Sequence, residues 1–70
     1  MTIDQKERIT NLIARILHNI NRADAIADGM PVDESIEAMY VKDITNYLAY
    51  ARDKVDELKQ YLIQIDKETL

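Results

Sequence analysis

The chain has 70 residues, 47% of them hydrophobic and 31% charged, with a net charge of −4, one Gly, one Pro, one His and no Cys. That length allows one small domain. The missing cysteines exclude a disulfide framework and any cysteine-ligated metal, and a lone His excludes a histidine metal cluster. With no Phe or Trp and a single Gly and Pro, a many-turned β fold is not expected.

At the start of the chain, Thr2-Ile3-Asp4-Gln5 has the spacing of a capping box. A first helix is expected over residues 3–28. Its apolar residues Ile9, Leu12, Ile13, Ile16, Leu17, Ile20, Ala23, Ile26 and Ala27 recur in steps of three and four, forming one wide stripe. The only Gly and Pro then fall together in Asp28-Gly29-Met30-Pro31-Val32-Asp33. Gly29 reads as a left-handed helix stop and Pro31 as a barrier to further helix. Asp33 reads as the cap of the next helix, with Glu34 and Glu37 in its first turn. Residues 29–33 therefore form the expected loop.

A second helix is expected over residues 34–67. Val41, Ile44, Leu48, Ala51, Val55, Leu58, Leu62 and Ile65 keep alternating steps of three and four, the pattern of a heptad seam. A short loop between two long helices implies an antiparallel hairpin in a single domain, 1–70. Facing residue numbers should then total about 62, as in a hairpin with a short loop. Ile3 would lie opposite Lys59, and residues 60–70 would overhang with Tyr61, Leu62, Ile63 and Ile65 uncovered. A lone helix with such a face is unstable in water. The fold class is thus all-α: a two-helix hairpin that dimerises into a four-helix, coiled-coil-like bundle. Val41, Ile44, Leu48, Val55, Leu58, Leu62 and Ile65 are the expected oligomer interface.

Chemistry-bearing residues are sparse. His18 lies on the polar side of the first helix and has no Asp or Glu three or four residues away, so nothing local orients it. Asp53, Asp56 and Glu57 cluster, but the Glu-x-x-His pattern of di-metal bundles is absent. No catalytic residue, metal, cofactor or small-molecule substrate is assigned, and the protein is expected not to be an enzyme.

Arg8, Arg15 and Arg22 recur every seven residues and share one side of the first helix. They fit either phosphate contact or stacking on tyrosines of the second helix. A total of 62 would set Arg22 against Tyr40, Arg15 against Tyr47 and Arg8 near Asp53. All four aromatics are tyrosines of the second helix: Tyr40, Tyr47, Tyr50 and Tyr61. Tyr50 and Ile63 point away from the seam and suit contact with another protein. The candidate partner face is Tyr47, Tyr50 and Ile63, with Asp53, Asp56 and Glu57 steering approach.

The layout resembles that of the small plasmid-encoded Rop proteins, helical hairpins that dimerise into four-helix bundles and bind paired RNA loops. The likeness covers the whole chain and is architectural. It implies an alternative function, RNA binding through Arg8, Arg15 and Arg22. The segment Gly29-Met30-Pro31-Val32-Asp33-Glu34-Ser35-Ile36 is similar to the loop and helix start of the exonuclease VII small-subunit family. Beyond those residues the spacing drifts out of step, and nothing is carried across. The expected function is a small non-catalytic regulator or adaptor that binds itself and occludes a partner protein, as products of phages and mobile elements often do. No apolar run reaches the roughly 18–20 residues of a membrane span, and no secretion signal is seen, so a cytoplasmic setting is expected.

Overall fold

A computed structural model describes residues 1–30 and 34–69, with the backbone alone over 34–37 and at 69. Two helices account for nearly all of it: α1, Ile3–Asp28, and α2, Glu34–Thr69. They pack against each other as an antiparallel pair measuring 55 × 17 × 10 Å. The expectations at Pro31, Val32 and Asp33, and for the side chains of Glu34 and Glu37, lie outside the described residues.

The start of α1 is built as its sequence implies. The Thr2 hydroxyl accepts from the Gln5 backbone N–H at 3.1 Å, and Gln5 Oε1 accepts from the Thr2 N–H at 2.9 Å. Two of the orphan donors of the first turn are thereby satisfied.

The end of α1 departs from expectation. Gly29 is not left-handed: its φ is −87° and its ψ is 3°. Its N–H donates to the Ala25 carbonyl at 3.1 Å, and the Met30 N–H donates to Ala27 at 3.3 Å. The helix thus ends by tightening through ordinary backbone angles, a conformation open to any residue. A Cβ at Gly29 would meet the Ala25 carbonyl oxygen at 3.5 Å, an ordinary contact. Gly29→Ala is therefore expected to stabilise by about 0.4–1 kcal/mol through the unfolded chain. A thermal melt should rise by a few degrees, and a fall would show that the turn needs glycine.

Inside the pair, α1 presents Ile9, Leu12, Ile16, Ala23 and Ile26, with Gln5 and Asn19 at the remaining steps. From α2 come Tyr40, Ile44, Tyr47, Ala51, Leu58, Tyr61 and Ile65, with Lys54 and Val55 half-buried between them. Leu12, Ala23 and Ala51 are the buried apolar residues among those described. Val41, Leu48 and Leu62, expected in the seam of α2, are exposed in the single chain. The seam is turned by one position, so that Tyr40, Tyr47 and Tyr61 face α1. Tyrosine rings offer more area to bury, and arginines of α1 lie within reach of two of them.

The register also differs from expectation. Arg22 lies over Tyr47 and Arg8 over Tyr61, and both pairs of residue numbers total 69. The helices are therefore shifted by one heptad from the expected register. The free end expected at residues 60–70 is covered: Gln5 Nε2 donates to Glu68 Oε2 at 3.3 Å, close to the end of α2. A C-terminal overhang therefore gives no ground for self-association. The overhang lies at the loop end instead, where the first two turns of α2 run past Asp28 by about 10 Å at 1.5 Å per residue.

Candidate interaction faces

The two sides of the hairpin differ in character. Seen from one end, two antiparallel helices wind in opposite senses, so the residue following each inward position falls on the same side from both helices. The residues just preceding the inward positions fall together on the other side.

The preceding positions make a polar side. Arg8, Arg15 and Arg22 lie there with Asp43, Tyr50 and Glu57. Arg8 pairs with Glu57 at 3.7 Å and lies 4.6 Å from the centre of the Tyr61 ring. Glu57 is shared with Lys54, whose Nζ donates to it at 3.1 Å. Arg22 lies 5.8 Å from the centre of the Tyr47 ring. Exposed ion pairs and cation–π contacts stabilise by about 0.2–1 kcal/mol each, so this seam adds specificity more than strength. Arg15 has neither an ion pair nor a ring contact among the described residues. The register explains why: Arg15 is level with Lys54, the one step of the tyrosine series where a cation stands. The expected pairings of Arg22 with Tyr40 and Arg8 near Asp53 are thus replaced by contacts further along α2, and the expected Arg15–Tyr47 contact is not formed.

Of the candidate partner residues, Tyr47 and Glu57 are engaged within the hairpin. Tyr50 is exposed, its ring 6.3 Å from that of Tyr47 in an edge-on contact at 76°. Ile63 is also exposed and borders an open groove with Arg8, Glu57 and Tyr61. Asp53 and Asp56 are exposed, and neither has an ion pair among the described residues. The outward side of α2 therefore joins Tyr50 and Ile63 with two free carboxylates. His18 stands exposed on α1. No group of three His, Asp or Glu residues capable of holding a metal occurs among the described residues.

The following positions include an apolar band, with Arg52 and Lys59 at its outer edge on α2. Ile13 and Ile20 of α1 lie there with Val41, Leu48 and Leu62 of α2, and Leu17 extends the band outward on α1; all are exposed. Half-buried Val55 completes the heptad row on α2. This band is only partly readable in the sequence. Its α1 members belong to the wide stripe, but the width of that stripe alone does not say which residues a single neighbouring helix leaves uncovered. Among the described residues, no helix is long and apolar enough to cross a membrane.

No protein-family model matches the chain, and no curated protein or solved structure shows significant similarity to it.

Proposed function

We propose that this protein is a small non-catalytic regulator or adaptor, assembled as a homodimeric four-helix bundle, that acts by covering a surface of a partner protein. One observation carries the reading: the hairpin buries little and displays much. Leu12, Ala23 and Ala51 form its buried core, whereas Leu17, Met39, Leu48, Tyr50 and Ile63 all stand exposed. Leu17 and Leu48 belong to the apolar side, and an exposed apolar band of that kind marks an interaction site. A chain of this size seldom supplies enough core alone.

The partner face in this reading is the outward side of α2. Tyr50 and Ile63 supply apolar anchors, and Asp53 and Asp56 supply a negative rim that favours a partner with a basic surface. Tyr47 supports Tyr50 from behind, and Glu57 is held by Arg8 and Lys54. The Rop-like alternative would need Arg8, Arg15 and Arg22 to meet phosphates. Two of those three guanidiniums lie against tyrosine rings, which favours protein binding over RNA binding.

The test is affinity capture from an extract of the source cells, using immobilised wild-type chain and the triple variant Tyr50→Ala, Asp53→Lys, Asp56→Lys. A protein held by the wild type should be lost from the variant, while the variant keeps its helical circular dichroism. Equal capture by both would sink the assigned face. Release of bound RNA instead of protein would favour the alternative.

A further inference from the structure

We infer that the apolar side of the hairpin, Ile13, Leu17 and Ile20 with Val41, Leu48 and Leu62, is covered by a second copy of this chain. The inference rests on the homodimer proposed above and assigns it to one side of the molecule.

Surface area points to a missing layer. The chain exposes 5677 Å². A compact monomer of 8.1 kDa would expose about 4,500 Å². The excess is about 1,200 Å² per chain, or about 2,400 Å² for two, within the range of obligate homodimer interfaces. Shape gives the same result. The two helices lie side by side in a single layer, and the smallest extent of the molecule is 10 Å. Stable domains need at least two packed layers, and one more hairpin supplies the second.

The apolar side is also self-complementary. An isologous interface places the same patch on both partners. Ile13 lies within one residue of level with Val55, and Ile20 with Leu48, in the observed register. Val41, Leu48, Val55 and Leu62 repeat every seven residues, making layers about 10 Å apart along the hairpin. Two copies of so regular a surface mesh layer on layer, whether the two-fold axis runs along the bundle or across it. The heptad rows themselves carry no charge between Ile13 and Ile20 or between Val41 and Leu62. Arg52 and Lys59, which follow Ala51 and Leu58, stand exposed at the outer edge of this side, where their stems can lie on apolar surface with their heads in water. Lys6 stands only at the end of the α1 row, where its stem can lie on apolar surface with its head in water.

The polar side is a poor competitor for that role. It is already paired through Arg8–Glu57, Lys54–Glu57 and Arg22 on Tyr47. Burying it would strip water from Arg15 and Asp43 with no partner of opposite charge at their level in the chain.

The experiment uses the full chain. Sedimentation equilibrium across a wide concentration range should give a limiting mass near twice 8.1 kDa. Ile20→Glu with Leu48→Glu should weaken self-association roughly a hundredfold or more, since buried apolar anchors dominate such interfaces. Because that variant can also unfold, single thiols provide a second readout in this cysteine-free chain. A thiol at Leu48→Cys should become protected from a maleimide as the concentration rises through the dimer transition. A thiol at Tyr50→Cys should react equally fast throughout. A monomer at all concentrations overturns the inference together with the homodimer reading and leaves the partner-capture test standing. A dimer that leaves Leu48→Cys fully reactive overturns the assigned face alone.

Discussion

Leu12→Ala is expected to cost about 2–5 kcal/mol, the range for removing a buried leucine and leaving its cavity. Leu12 is the only large side chain among the buried residues described, with 4% of its surface exposed. It sits inside α1 between Ile9 and Ile16, on the face turned toward α2. The whole chain should be stable by only about 4–10 kcal/mol for its length. One substitution therefore removes a large share of that stability, and the thermal midpoint in circular dichroism should fall steeply at a fixed protein concentration. The concentration must be fixed because any self-association adds to apparent stability by mass action. Ile16 and Ile44 are half-buried and should cost less when cut to Ala. If Leu12→Ala melts with the wild type, the buried core of the hairpin lies elsewhere than along this line.

Local structure is legible wherever nearby residues decide it. The capping box at Thr2 and Gln5 can be read from four letters, and both of its hydrogen bonds form. The helical periods of both segments are equally direct, because apolar spacing of three and four has one regular solution. Gly29 defeats the same kind of reading because glycine permits a left-handed stop without requiring one. What decides the matter is the pair of backbone bonds to Ala25 and Ala27, which no residue type announces.

Register is the least legible feature, for a physical reason. Both helices repeat every seven residues, so sliding one by a heptad returns residues of the same kind to one another. Arg22 meets a tyrosine in either register, Tyr40 or Tyr47. The ends break the tie. In the shorter register, with facing numbers totalling 62, the last turns of α2 would face water. In the observed one Arg8 gains Tyr61 and Glu57, and α1 is covered along its full length. The same shift carries Glu57 from the candidate partner face into the hairpin's own contacts. It also moves the overhang to the loop end. The exposed band of Val41, Leu48 and Leu62 follows from the one-position turn that brings the tyrosines inward.

Ending the chain after Gln60 tests this register and should abolish the fold. Under the shorter register the cut removes only an overhang, and the helix pair would survive with its melting temperature little changed. In the observed register it removes Tyr61 and Ile65 from the seam, and Glu68 from its hydrogen bond to Gln5. Burying one such side chain fully is worth about 1.5–3 kcal/mol, and these are half-buried, so the seam loses about 1.5–3 kcal/mol from those two together. Gln5, Arg8 and Ile9 lose their facing surface at the same time, and the first two turns of α1 become an unsupported helix end. Short unsupported helices are marginal in water, so the loss should spread along α1 toward Leu12. Helical content measured by circular dichroism should then fall by far more than the share of residues removed. A cut after Lys67 removes only the exposed Gln5–Glu68 hydrogen bond and should leave the spectrum almost unchanged. The two truncations differ by only seven residues, one heptad, and that interval distinguishes the registers.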